Sequence, residues 1–378
     1  MEGKSMNQIL KKDNGLALEK ETKVHSKVFK TPSLMLTYSF RKNNPRPWLH
    51  LPNCSVMTNA YDILKNGRLE KRIRKKGIHK ELNLKKEICA MDSGGFQFIS
   101  REDVEINPRE VIQLQNEANV DIAVCLDYPL LGDFSKNQVQ QLKKQMIKNV
   151  ELSNDFIKDD IEVMPVLHGQ NPDDIIKFYR KISEIADFKF WGVGGIVPQM
   201  KQSSTSHKRY FTILDRILLV RKELNKIDED KILHAFGVGS PLAGLLFLLC
   251  GADTIESISW IMNAKYFLVY QDKIGARKVS KQTTMCTTSV RWENYQCSCP
   301  ICANQPRDKI EQKMKKRGSP GFKNRALHNA YVYQEIIEEA RIALRENRLI
   351  ELCKEKLGEH RFFKGILKYT LKKLNELK

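Results

Sequence analysis

Apolar residues along the chain fall into short β-rich runs separated by longer stretches with helical spacing. The runs are Pro32–Tyr38, Ile88–Asp92, Ile122–Asp127, Val163–Leu167, Phe190–Gly194, Ile232–Gly237 and Thr254–Ser259. Between them, Pro108–Asn119, Gln138–Asp155, Pro172–Ala186, Tyr210–Asn225 and Pro241–Cys250 repeat apolar residues at three and four, as Ile175, Ile176, Tyr179, Ile182 and Ile185 do. Strands alternating with helices build a parallel sheet with crossover helices. Seven or eight such units in roughly 240 residues predict an α/β fold of the TIM (β/α)8 barrel type rather than a doubly wound sheet. The period-2 signal stops after residue 296, where a Cys-rich knot leads into helices Asn329–Arg345 and Phe362–Leu377. Phe363, Leu367, Leu371 and Leu374 give the last helix an apolar stripe. The expected organisation is a flexible basic arm at 1–29, a barrel at 30–296, and a metal-binding knot with basic C-terminal helices at 297–378.

Composition narrows the function classes. Of 378 residues, 41% are hydrophobic, enough for a sizeable core and too many for a disordered tail. The longest apolar run, Leu242–Ala252, is too short to span a bilayer, and the N-terminus lacks the apolar stretch of a signal peptide. Nine cysteines, three of them within six residues, do not read as a disulfide framework. A soluble protein of a reducing compartment, the cytoplasm, is expected, with no membrane contact.

Charge adds a partner. Lys+Arg number 64 against 45 Asp+Glu, for a net charge of +19. Lys65–Glu87 carries +7, Ala303–Ala330 carries +6 and Arg361–Lys378 carries +5, so three segments hold nearly all of the excess. Clustered rather than uniform charge points to a nucleic acid held across one face.

The candidate chemistry sits where strands end: Asp92-Ser93-Gly94-Gly95, Asp127, His168-Gly169, Gly194-Gly195, Gly237-Val238-Gly239 and Glu256. Strand C-termini are where barrel active sites are built. A carboxylate followed by two glycines and Phe96 lets a flat ligand approach backbone and stack on a ring. Separately, Cys297, Cys299 and Cys302 form C-x-C-x-x-C, a turn tight enough to aim three thiolates at one point, and a distant imidazole such as His328 completes a tetrahedral Zn2+ site of structural type. The remaining cysteines read mostly as buried small hydrophobes.

Met-Asp-Ser-Gly-Gly-Phe-Gln97, Cys-Leu-Asp-Tyr-Pro129, Val-Gly-Gly-Ile-Val-Pro198, Phe-Gly-Val-Gly-Ser-Pro241, Gly-Ala-Asp-Thr-Ile-Glu-Ser-Ile-Ser259, Cys-Ser-Cys-Pro-Ile-Cys302 and Leu-His-Asn329 occur in that order. Over roughly residues 30–350 this resembles the tRNA-guanine transglycosylase family, zinc-containing TIM barrels that exchange guanine for a 7-deazaguanine base. Several motifs look closest to the archaeosine type. The resemblance implies that Asp92 serves acid/base and base-binding roles and that Phe96 packs near the base. It implies that Asp127 reads the guanine edge, and that Gly194 and Gly195 bond the heterocycle through backbone. Ser93, Gly94, Gln97, His168 and Gly237 complete the implied base pocket, and His328 becomes the fourth metal ligand. Two positions depart from the pattern. The nucleophile that attacks C1′ falls at Glu256 instead of an Asp, with Asp253 three residues earlier as the alternative. His168 stands where the family has Gln.

The compact chain, without the RNA-binding domains that archaeosine-type enzymes append, leads to an expectation of DNA as the substrate and 7-cyano-7-deazaguanine as one possible incoming base. The alternatives are the same exchange on tRNA, or a non-catalytic nucleic-acid-binding paralogue. A homodimer or helper proteins are compatible with either.

Overall fold

The computed structural model describes residues 8–12, 16–100, 105–130, 134–196, 207–280, 286, 288–292 and 295–377. The apolar runs become parallel strands buried on both faces, which is why they read as near-continuous hydrophobic stretches. In chain order the first three strands are β1 (Gln8–Lys12), β2 (Leu18–Val24) and β3 (Lys27–Thr31); the central sheet then uses β4 (Ser33–Thr37), β5 (Ser55–Asn59), β6 (Cys89–Asp92), β7 (Ile122–Val124), β8 (Glu162–Met164), β9 (Val166–Leu167), β10 (Phe190–Val193), β11 (Ile232–Ala235) and β12 (Thr254–Ser257). Side chains alternate: Leu34 and Leu36 pack outward among the helices while Met35 points inward, and Val56/Met57, Met91/Ala90 and Trp191/Phe190 repeat the pattern.

The sheet runs in the order β8-β7-β6-β5-β4-β12-β11-β10-β9, every pairing parallel. Strands β8 and β9 are one stretch of chain interrupted at Pro165, which has no N–H to give the ladder. Its first half pairs with β7 and its second with β10, and the Gly192 N–H donates to the Pro165 carbonyl at 2.9 Å. The ring therefore closes, and eight chain segments make a (β/α)8 barrel. The eighth is β5, which the hydropathy pattern did not mark.

Of the residues 1–29 expected to be a flexible arm, 8–12, 18–24 and 27–29 lie in β1, β2 and β3, an antiparallel sheet. Val24 and Phe29 enter the barrel's interior apolar cluster with Met35, Met57, Phe190 and Ile232, closing its N-terminal end. The Lys-rich sequence concealed this because Lys20 is fully buried.

At the other end of the chain, helix Gly318–Arg345 packs against β4 and against helices Ser259–Lys265 and Pro241–Leu249, completing the outer layer. The intervening segment carries the hairpin β13 (Leu268–Gln271) and β14 (Gly275–Lys278), whose flanks Val269 and Val279 share an apolar cluster with Cys299, Cys302, Ile310 and Met314. Helix Phe363–Glu376 buries Phe363, Ile366, Leu367 and Leu374, while Leu371 is half-buried. Among the described residues no helix is long and apolar enough to cross a membrane.

Candidate active site at the strand ends

The carboxyl ends of the barrel strands bring most of the predicted residues to one mouth. Glu256 stands near the end of β12, and both its oxygens are held. The Gly237 N–H donates to Oε1 at 2.6 Å, and the Thr37 hydroxyl at the end of β4 donates to Oε2. Gly237 has φ +69°, a left-handed conformation that turns its N–H back toward β12. Burial raises the Glu256 pKa above the ordinary carboxylate value, and the two hydrogen bonds oppose that rise.

Asp92 ends β6, and its Oδ2 accepts from Asn59 Nδ2 at 2.8 Å. Burial, then the charges of Asp127 and Glu256, push its pKa up to about 8. That shift favours the protonated form at neutral pH, and the three acids occupy one electrostatic neighbourhood. Ser93 is buried, and its hydroxyl has no partner among the described residues. Beyond it the chain turns at Gly94, passes the half-buried Phe96, and starts the short helix Gln97–Ser100 with the Gln97 N–H bonded to the Gly94 carbonyl at 2.9 Å.

Asp127 and His168 form a buried pair, with His168 Nε2 2.6 Å from Asp127 Oδ2. The glycine motifs make room for it. A Cβ on Gly95 would lie 2.3 Å from Asp127 Oδ1, and one on Gly194 would lie 2.5 Å from His168 Cε1. Gly195 follows with its own backbone against the same imidazole. Val197 and Pro198 of the Gly-Gly-Ile-Val-Pro motif lie outside the described residues.

Asp253 is not at this mouth. It precedes β12 at the opposite end of the barrel, where Oδ2 takes Arg221 Nη2, Lys20 Nζ at 3.2 Å and the Leu233 N–H at 2.7 Å. Three residues along a strand span about 10 Å and reverse the face, so Asp253 and Glu256 cannot exchange roles. Asp253 anchors the N-terminal sheet through Lys20 of β2, and the alternative nucleophile is withdrawn.

Three contributors were missed: Thr37, Asn59 and Tyr128. The first two end strands as polar residues, a usable signal once β5 is recognised. Tyr128 follows Asp127, and its ring lies 4.8 Å from that of Phe98, forming an aromatic pair beside the carboxylates.

Outside the barrel, one donor atom from each of Cys297, Cys299, Cys302 and His328 gathers within 4.8 Å of the others. His328 Nδ1 faces the sulfurs, at 3.4 Å from Cys297 and from Cys299 and 3.8 Å from Cys302. Its Nε2 lies 2.8 Å from the Tyr270 carbonyl, which fixes the ring as metal-bound imidazoles are fixed. The donor set and its burial fit a metal ion with a closed shell. From Tyr270 a chain of contacts continues inward: its hydroxyl lies 2.6 Å from Ser259 Oγ, and Ser257 Oγ donates to the Gly239 carbonyl at 2.7 Å, two residues from Gly237.

The charged segments are partly spent on the fold. Arg74 pairs with Glu70 and Glu117, Arg72 and Lys76 share Glu81, and Arg325 is buried, donating to the carbonyls of Ala264 and Met314. Lys65, Arg68, Lys71 and Lys75 have no carboxylate partner among the described residues.

Fold and site together define a (β/α)8-barrel protein with a carboxylate-built site at its mouth and a Cys3His centre beside it. Comparison with known proteins identifies the family. Residues 19–361 match the family model described as queuine tRNA-ribosyltransferase, and the chain belongs to that family. Among its relatives are the tRNA-guanine(15) transglycosylases of Methanococcus aeolicus, 26% identical over 89% of this chain and 50% of the relative, and of Pyrococcus furiosus, 27% identical over 89% and 54%. That of Methanopyrus kandleri is 25% identical over 89% of this chain and 69% of its own length. The chain thus spans about half the length of the first two relatives.

Proposed function

We propose that the protein is a guanine transglycosylase that exchanges a guanine in tRNA for a 7-deazaguanine base. The observation that carries this is Glu256, an acid held by Thr37 and Gly237, whose charge reaches an Asp92 with a pKa raised to about 8. Glu256 attacks C1′ of the target nucleotide, the C1′–N9 bond breaks, and Asp92 gives its proton to the leaving guanine. A glycosyl ester on Glu256 holds the strand together. The incoming base then returns a proton to Asp92 through loss of its N9–H and attacks C1′, expelling Glu256; two inversions give retention. Asp127, positioned by His168, accepts N–H groups of the guanine edge. The target base must leave its stack to reach this depth. Cys297, Cys299, Cys302 and His328 would hold a zinc ion, which would supply structural support rather than a reacting group.

The choice of tRNA rests on the relatives, which are named for a tRNA guanine. The preference for DNA read from the sequence rests on the appended RNA-binding domains not seen in it, on the departures at Glu256 and His168 and on the clustered charge, none of which distinguishes one polynucleotide from another. The test supplies labelled guanine or 7-cyano-7-deazaguanine with either bulk tRNA or duplex DNA. Label is expected in tRNA; incorporation into DNA alone would restore the DNA reading, and incorporation into neither would remove the activity.

A further inference from the structure

The loop that follows β4 leaves the mouth one residue past Thr37 as Tyr38-Ser39-Phe40-Arg41-Lys42-Asn43-Asn44-Pro45-Arg46. With Asn66, Leu69 and Arg72 from the segment after β5 it walls a cavity of about 220 Å3. Arg41, Lys42, Arg46 and Arg72 line it, against a single acid among the described lining residues, Glu81. Glu81 is already engaged: burial opposes its charge, but Arg72 at 3.2 Å and Lys76 at 2.9 Å outweigh that and hold it below the usual carboxylate range. No carboxylate among the described residues pairs with Arg41, Lys42 or Arg46. Three uncompensated cations thus border one concavity.

The loop's backbone is fixed. Asn44 Nδ2 donates to the Ser39 carbonyl at 2.8 Å and lies 3.0 Å from Ser39 Oγ, and the Asn44 N–H donates to the Arg41 carbonyl at 3.0 Å. Tyr38 packs edge-on against Phe40 and Trp48, and Trp48 Nε1 donates to the Leu82 carbonyl at 3.0 Å. Convergent guanidinium and ammonium groups on a stiff frame match a tetrahedral oxyanion in charge and in donor geometry. Arg41 is four residues past Thr37, so its Cα stands within about 14 Å of the residue that holds Glu256. A strand with its sugar at Glu256 covers that distance in a few nucleotides.

We propose that this cavity seats a backbone phosphate of the polynucleotide, close to the nucleotide whose base is exchanged. The inference rests on the transglycosylase reading for the polymer's presence, but not for the site's chemistry. The cavity's three uncompensated cations, Arg41, Lys42 and Arg46, lie outside the three charged segments of the sequence, although Arg72 of the first segment also lines it.

The test compares the wild type with R41Q/K42Q/R46Q and with a control, K144Q/K177Q/K222Q, whose exposed lysines lie on the barrel's outer helices. Binding of fluorescent bulk tRNA and of a duplex DNA is followed by anisotropy across a salt series, with unfolding midpoints taken to verify folding. The cavity variant is expected to lose about 10-fold or more in affinity, and its log–log salt slope to fall by roughly 0.7–0.9 for each phosphate contact removed. The loss should fall on the KM for the polynucleotide, with guanine affinity retained. Equal loss for both polymers assigns the shared phosphodiester, and loss for one alone assigns that polymer. A cavity variant that binds like the wild type, or a control that loses as much, overturns the proposal. If the wild type exchanges no base yet the cavity variant still binds weakly, the transglycosylase reading falls and the phosphate site stands.

Discussion

His168 Nε2 lies 2.6 Å from Asp127 Oδ2, and both side chains are buried. The pair fixes which oxygen of Asp127 is left to meet a ligand, so on the proposed function base recognition would depend on an imidazole that never has to touch the base.

Replacing His168 by Ala leaves a buried carboxylate short of a charge-assisted partner. Such a hydrogen bond contributes about 1.5–3 kcal/mol, so the KM for the incoming base should rise roughly 10- to 150-fold. His168→Gln, which restores a donor, should recover much of that. Base-exchange kinetics with free base varied would check it; an unchanged KM in the Ala variant would sink the positioning role.

Glu256→Gln should remove exchange by on the order of 10^4-fold, as loss of a nucleophile commonly does, and should abolish any covalent protein–nucleic acid adduct on a denaturing gel. Thr37→Val is the subtler case. Thr37 lowers the Glu256 pKa, so its loss should move the acidic limb of the kcat–pH profile to higher pH and reduce kcat about 10-fold. An acidic limb that stays in place in Thr37→Val would contradict this.

On the proposed mechanism the alkaline limb belongs to Asp92. That mechanism needs Glu256 ionised and Asp92 protonated, so kcat/KM should decline as pH rises through about 8, where Asp92 loses its proton. Asn59 stabilises the ionised form, and Asn59→Leu should shift that limb upward. A profile flat to well beyond pH 8 would argue against Asp92 as the acid.

Asp253→Asn should act on stability. It leaves Lys20 and Arg221 buried without the Asp253 counter-charge, and breaking a buried pair costs about 3–5 kcal/mol. Urea unfolding should show a lower midpoint, while the folded fraction keeps its kcat. The opposite result, unchanged stability with lost turnover, would return Asp253 to the chemistry.

Metal removal offers a further check. Chelation, or Cys299→Ser, should lower the unfolding midpoint through the Cys3His cluster, and release of one equivalent of zinc should accompany it. A protein that holds no metal, or that melts identically without it, contradicts the structural role.

Periodicity and motif order revealed the barrel and the positions of Asp92, Asp127, His168 and Glu256, because a strand buried on both faces is written as an apolar run with its chemistry just beyond. What stayed hidden had polar letters whose partners were remote. β5 reads Ser-Val-Met-Thr-Asn, with Thr58 buried and bonded to the Ala90 carbonyl at 3.4 Å. The N-terminal strands were concealed in the same way by Lys20, whose charge is met by Asp253, more than 200 residues away. Asp253 stands three residues from Glu256 in sequence yet at the other end of β12, because an extended strand carries near neighbours in sequence apart in space.

The hairpin that stoppers the barrel has a kinetic corollary. Val24 and Phe29 close the far side among the described residues. If the protein exchanges bases as proposed, the departing and arriving bases share the mouth at the strand ends with the polynucleotide, so the first vacates before the second enters. That order calls for a state in which the sugar is parked on the protein while the base site stands empty, and passage through the mouth joins bond breaking in setting turnover.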